Sequence, residues 1–351
     1  MEAFTMGGNK VFGDRLKALR ISMGLSLRNL GEKLNITAQT LSNYERGLTM
    51  PASPIVIALA NEFKVKVEYF FRPVTVSIEG LDFRKKNSFL VKEQNSLVAE
   101  MKDWLERYKQ VESLFNEHTS VVLPRIEPAA TVDQIEQIAV NLRQEWNLGQ
   151  APIESMTSLL EENNIRVCLI DAADSFDACT FWSDGRPCIV ARNNLPGDRL
   201  RFNLAHELGH LVIKCPEKGD KRTREKPAMR FASAFLAPSD VVKRELGPSR
   251  KKLGLNELHI LKMKYGLSMS AWVFRAKDLG IISETAARGL FFVLKRYGKQ
   301  EPGEPYPPEV PPTRMKQLVF RAYAEAMISE AKAAELLALS IYEFRREFLQ
   351  P

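Results

Sequence analysis

The sequence predicts a mainly α-helical chain with one small α+β core, a group of short helices ahead of it and a helical tail behind it. Two observations lead to that reading. Apolar residues recur at helical spacing along most of the 351 positions, whereas strand-like runs are confined to Ile165–Asp171, Asp177–Ser183 and Pro187–Ala191. A His-Glu-x-x-His pentapeptide, His206–His210, falls inside one of the amphipathic helical runs.

The length suits two or three domains, and 45% hydrophobic with 26% charged residues is the composition of an ordinary folded chain. No apolar run approaches a membrane span, and Met1–Lys10 lacks the basic and apolar parts of a signal peptide. A cytoplasmic location with no membrane partner is therefore expected. The four cysteines, Cys168, Cys179, Cys188 and Cys215, form no CxxC pair and suit a reducing compartment as small core residues.

Five helices are predicted in residues 10–72. Phe12–Ile21 is amphipathic and stops at Met23-Gly24. Ser26 caps Leu27–Leu34, Thr37 caps Ala38–Arg46, and Gly47 closes that helix. Pro54–Phe63 and a short Val67–Phe71 follow. The tight turn between the second and third is a helix-turn-helix pattern. The segment also holds ten Lys/Arg against five Asp/Glu, most of the chain's net charge of +7. Such a surplus supplies the sequence-blind part of DNA affinity.

The run from Ser26 to Gly47, S-L-R-x-L-G-x-x-L-x-I-T-x-x-T-L-S-x-Y-E-R-G, resembles the XRE/Cro-repressor family of DNA-binding domains. The resemblance implies that the third helix enters the major groove of double-stranded operator DNA. Ala38, Gln39, Thr40 and Asn43 would then face bases, while Arg28 and Arg46 hold phosphates. Arg20 and Glu45 would form an internal ion pair.

Residues 76–125 read as a helical connector. Phe83-Arg-Lys-Lys86 is basic, and Phe89–Phe115 carries apolar residues at helical spacing. That helix could pair with a copy of itself as a homodimer or pack along the following domain. Pro124 and Pro128 mark a boundary. Helices Thr131–Trp146 and Pro152–Asn163 precede the strands, and Asp184-Gly185 is a hairpin turn signal between the last two.

In the His206–His210 run, Leu200, Leu204, Leu208 and Leu211 recur at helical spacing; Asp198 or Asn194 could cap the start, and Cys215-Pro216 ends it. Positions i and i+4 differ by about 40° around a helix, so both imidazoles leave one face and make half of a tetrahedral metal site. Glu207 lies beside them, where it could take a proton from water. A third ligand is needed. Glu225 stands at the mouth of a helix in which Pro227 suits the first turn and Ala228, Phe231, Ala232, Phe235 and Leu236 form an apolar stripe. Glu217, His118 and His259 are the competing donors.

Residues 126–295 resemble the ImmA/IrrE family of bacterial metallopeptidases. The likeness rests on the H-E-x-x-H helix followed by Glu225-Lys-Pro-Ala228-Met-Arg-Phe231-Ala232 and Phe235-Leu236-Ala237-Pro238. It implies a zincin-like domain over 126–300 with a short sheet, in which His206, His210 and Glu225 hold Zn2+ and Glu207 is the catalytic base. Mn2+ and Fe2+ also suit two His and a Glu. Pro227 within the pattern and Met229 in place of the usual Asn are departures. A peptide substrate would add to an edge strand.

Leu255–Tyr265, Ser268–Leu279 and Ser283–Tyr297 read as three helices, a helix-turn-helix-like unit over 255–297 by the same resemblance. Residues 301–312 hold six prolines and read as a stiff extended linker. Met315–Met327, Ser329–Leu337 and Ser340–Phe348 make a small helical element over 313–351; Ser340 suits a cap, the order helix, short turn, helix suggests helix-turn-helix geometry, and partner docking or dimerisation is its expected role. The expected function is a DNA-binding, zinc-dependent regulatory endopeptidase that cleaves a repressor or other partner protein. The alternative is an XRE-type regulator or antitoxin whose peptidase-like domain senses a ligand or grips a toxin without cutting.

Overall fold

Local caps and apolar stripes set the helices of this chain, and one three-stranded sheet supplies its only β-structure among the described residues. The computed structural model describes residues 2–63, 65, 67–71, 76–81, 91–115, 123, 131–213, 221–298 and 300–349. The chain divides into two compact units. The first gathers Met1–Ile78, Lys85–Glu117 and Met315–Pro351; the second gathers Glu79–Arg84 and His118–Arg314. Among the described residues no helix is long and apolar enough to cross a membrane.

In the first unit, α1 (Glu2–Ser22), α2 (Leu27–Leu34), α3 (Ala38–Glu45) and α4 (Ser53–Phe63) are followed by a 3-10 turn at Val67–Phe71. The fifth predicted helix is therefore a 3-10 segment, and the first begins ten residues earlier than its apolar spacing indicates. Phe12, Leu16, Leu30, Leu41, Leu59 and Phe70 form the core, with the Phe12 and Phe70 rings stacked 5.1 Å apart. Ser26 and Thr37 cap α2 and α3 as expected, and Asn35 turns the chain between them in the left-handed region (φ 54°). Arg20 and Glu45 form a bidentate pair at 2.5 and 2.9 Å.

Helix α5 (Val91–Glu112) buries Leu97, Met101, Leu105, Tyr108 and Val111. It lies on α1, where Arg15 pairs with Glu106 and the Ser96 hydroxyl donates to the Ser22 carbonyl. The basic Phe83–Lys86 stretch, Pro124 and Pro128 fall outside the described residues. The tail forms α14 (Arg314–Ala324), α15 (Glu330–Leu336) and α16 (Ile341–Leu349).

The second unit begins with α6 (Val132–Glu145) and α7 (Met156–Glu162), then β1 (Arg166–Ile170), β2 (Ala178–Ser183) and β3 (Arg186–Arg192). Strand order is β1-β3-β2, with β1 parallel and β2 antiparallel to β3. Asp184 and Gly185 both take positive φ (51° and 71°), the two-residue hairpin turn expected there. β3 is central with both edges paired, which leaves β1 and β2 as the edge strands, and the outer edge of β2 is met at Trp182 by an antiparallel bridge from Glu79.

Helix α8 (Gly197–Val212) packs on β2 and β3, and α9 (Lys221–Leu236) packs on α8 and α6. Helices α10 (Ser239–Leu246), α11 (Leu255–Tyr265), α12 (Met269–Asp278) and α13 (Glu284–Lys295) complete the unit. Buried arginines tie its loops. Arg143 donates to the carbonyls of Gly149, Ala151 and Phe235, and burial pulls its guanidinium down to about 10. Arg275 donates to the Ala237 carbonyl and holds the Glu136 carboxylate at 2.6 Å.

The Pro-rich stretch is extended but is no free spacer. Arg201 of α8 reaches Glu309 at 2.9 Å with both side chains 1% exposed. Glu301 accepts from the backbone N–H of Met269 and Ser270 and pairs with Lys262 at 3.1 Å, which also meets Asp198 at 3.2 Å. Burial alone would push Glu301 up; the two N–H groups and the Lys262 ammonium outweigh it and hold the carboxyl below its ordinary 4.5. These pairs fasten residues 301–309 across α8, α11 and α12, because a buried charge demands a partner.

Candidate functional site

The site grows from α8. Twelve of its sixteen residues are buried, so its polar side chains lie within the fold and not on its surface. Asp198 does not cap this helix, and no side chain does: Pro196 holds the N-cap position, and Asp198 instead faces Lys262. The helix ends at Val212; Cys215, Pro216 and Glu217 fall outside the described residues.

His206 and His210 present their Nε2 atoms to one point, 3.3 Å apart, with rings at 81° and centroids 4.9 Å apart. Phe202, one turn earlier, stacks on His206 with an interplanar angle of 19°. Glu225 comes from α9, with its Oε2 at 3.2 Å from His206 Nε2. One ligand atom from each of the three residues lies within 4.8 Å of the others. Glu207 follows His206 and is 1% exposed.

The approach of α9 depends on Gly209. A Cβ there would stand 3.2 Å from both Cα and O of Ala228 and 3.1 Å from the Phe231 ring. Pro227 lies inside α9, not in its first turn, and Glu225 sits in the second turn, not at the mouth. A mid-helix proline is tolerated at the cost of one backbone hydrogen bond. The next residue, Ala228, is buried where α9 meets Gly209.

The donor set fits a tetrahedral Zn2+. Two ligands about 2.0–2.1 Å from such an ion lie roughly 3.3 Å apart, which both short separations match. Two nitrogens and one carboxylate oxygen leave a fourth corner. Of the competitors, His259 lies on α11 beside Gly303, apart from the three-donor group; His118 and Glu217 are not described.

The other predicted residues lie on the first unit. On α3, Ala38 and Gln39 are exposed, and Thr40 and Asn43 are partly exposed. Gln39 donates to the Asn43 amide oxygen at 3.1 Å, which sets the two amides side by side. The Thr40 hydroxyl lies 2.8 Å from that of Thr37. Arg46 is exposed at the C-cap, and Arg28 is 84% exposed and pairs with Glu32 one turn on.

Sequence reasoning missed the bracing of α8. Asp198, Arg201 and Lys262 are buried charges whose partners, Glu301 and Glu309, are remote in sequence. The one available signal was a charged residue on the apolar side of an amphipathic helix, since Arg201 shares the stripe of Leu204 and Leu208.

A helix-turn-helix family model matches residues 16–70, and the IrrE N-terminal-like domain model, peptidase M78, matches residues 160–277. The HTH-type transcriptional regulator ImmR of Bacillus subtilis (strain 168) is 36% identical over 93 residues, which cover 26% of this chain and 68% of that relative. A crystal structure of Bacillus thuringiensis PlcR in complex with the peptide PapR7 and DNA aligns over 97% of this chain and all of that one at 12% identity. Its TM-score is 0.17, and that likeness carries no argument. The chain belongs to the XRE-type helix-turn-helix regulators, joined to a domain of the ImmA/IrrE-like M78 metallopeptidase family.

Proposed function

We propose that this protein binds operator DNA through α3 and cuts a partner protein, a repressor, at the His206–His210–Glu225 centre. The observation that carries the reading is the convergence of three donors from two helices at spacings suited to one tetrahedral cation. Zn2+ held there would polarise a scissile carbonyl and acidify a water. The roles of the chain's own groups then follow. Glu207, on the same helix and shielded from bulk solvent, takes a proton from the attacking water and returns it to the leaving amine. Phe202 holds the His206 ring by stacking.

Of the two outer strands, β2 is the one packed by α8, so a substrate would pair along its free edge. Glu79 already bridges that edge at Trp182, and an incoming strand would compete with it. On the DNA side, Gln39 and Asn43 suit the paired edge of adenine, and Arg28 and Arg46 suit phosphates.

A second reading draws on the relative's name, which is that of a transcriptional regulator alone. In it the centre binds a metal or grips a toxin and does not cut. Glu207→Gln separates the two. Metal analysis of the purified protein should find about one Zn2+ in wild type and in Glu207→Gln. Cells expressing wild type should contain a cleaved protein that cells expressing Glu207→Gln lack, with operator binding equal in both. Every phenotype surviving Glu207→Gln would establish the regulator without cleavage.

A further inference from the structure

The tail repeats the N-terminal reader at the level of the backbone. Ser26 caps α2, Asn35 turns in the left-handed region nine residues later, and Thr37 caps α3 two residues after that. In the tail Ser329 caps α15, Ala338 turns with φ 55° nine residues later, and Ser340 accepts from the Glu343 N–H two residues after that. The turn hydrogen bonds also correspond. Asn35 and Ile36 donate to Glu32 and Gly31; Ala338 and Leu339 donate to Glu335 and Ala334.

The preceding corner matches too. Gly24 (φ 62°) and Ala326 (φ 55°) end their helices, and Leu25 and Met327 each donate to the carbonyl five residues back, at 2.9 Å. Buried positions coincide: Leu30 with Ala333, Gly31 with Ala334, Leu41 with Phe344. Phe320, Tyr323, Phe344 and Phe348 pack with ring centroids 5.1–5.8 Å apart, as Phe12 and Phe70 stack in the core of the first module.

We infer that α14–α16 is a second helix-turn-helix that contacts double-stranded DNA beside the site read by α3. Counted from the caps, the places of Gln39, Thr40 and Asn43 are taken by Tyr342, Glu343 and Arg346. Tyr342 is 74% exposed and Arg346 is exposed. A phenol and a guanidinium donate to phosphate or to the O6/N7 edge of guanine. Glu343 is turned back, accepting from the Ser340 N–H at 2.8 Å. Glu330 and Glu347 are neutralised by Arg345 and Lys316, so acidic charge on the module does not bar a phosphate backbone.

Helix α5 seats both modules. Arg15 of the first meets Glu106; Lys332 and the Leu336 carbonyl of the second meet Gln110 and Arg107. A pair of readers fixed on one helix can engage one duplex without a second subunit.

The test uses the full chain and duplexes of about 40 bp, roughly four helical turns, selected from a randomised pool. Footprints of wild type should show two protected patches. Tyr342→Ala with Arg346→Glu should erase one patch, weaken binding about tenfold and lower the salt slope, while the patch lost in Gln39→Ala/Asn43→Ala remains. Far-UV circular dichroism and melting of the variant, expected to match wild type, show that the module still folds. An unchanged footprint and affinity would overturn the inference. So would a variant that alters self-association alone, since the tail would then contact protein.

Discussion

Helix α3 buries one side chain, Leu41, of its eight residues, whereas α8 buries twelve of sixteen. Both carry candidate site residues, but α3 leaves them at the surface and α8 folds them into the core. The first plan separates site from core: Gln39 is exposed, Asn43 is partly exposed, and the amide of one bonds to that of the other. The second plan joins them. His206, His210 and Glu225 meet where Gly209 lets α9 approach, with Arg201 tying α8 to Glu309 and Arg230 tying α9 to Glu136. Exposed positions of the first kind can change by surface substitution, while the three-donor group is held by residues that never touch it.

The sharpest way to break this contrast is Glu207→Gln. Loss of a general base should cut turnover by about 10²–10⁴-fold. Unfolding should stay within roughly 1 kcal/mol of wild type, because the replacement keeps shape and size. A large loss of stability would mean that Glu207 is chiefly a structural group. Next comes Arg275→Met, which removes one holder of Glu136 and the donor to the Ala237 carbonyl. It should cost about 3–5 kcal/mol in chemical denaturation, the scale of breaking a buried pair.

Gly209→Leu should cost about 1–3 kcal/mol by overpacking, with weaker Zn2+ binding in calorimetric titration as α9 is pushed from α8. Equal Zn2+ affinity would show that Glu225 does not depend on that approach. Gln39→Ala and Asn43→Ala should each lose about 1–3 kcal/mol of operator preference, with the salt slope and melting temperature nearly unchanged.

The smallest effect concerns acid. Glu301 is held below 4.5 in the folded protein, so its contribution is full above that pH and lost as pH falls through the lower folded value. Below about pH 4.5 wild type should lose melting temperature more steeply than Glu301→Gln. Parallel curves would remove Glu301 from the bracing of α12.

Legibility followed the range of the interactions. Caps at Ser26 and Thr37 and the turn at Asp184-Gly185 are set by neighbours in sequence, and each lies where the residues put it. The pair His206 and His210 was readable for the same reason, since i, i+4 spacing fixes one face. The cap of α8 was misjudged because Asp198 has a tertiary partner, Lys262, which local propensity cannot register. Residues 301–312 were read as a spacer because proline stiffness is local while the Arg201–Glu309 pair is not. The likeness of tail and reader was partly hidden, because Ala338 and Ala326 occupy left-handed positions where Gly or Asn is the usual signal.

By itself the sequence determined which segments are helices, which face of α8 carries two imidazoles and where the caps of α2 and α3 fall. Each follows from spacing and capping over a few residues. Only the tertiary structure decided that Glu225 lies beside the two imidazoles, that β2 is the outer strand beside α8, and that residues 301–309 are fastened across α8, α11 and α12. Those facts depend on contacts between residues far apart in the chain, whose positions no local pattern encodes.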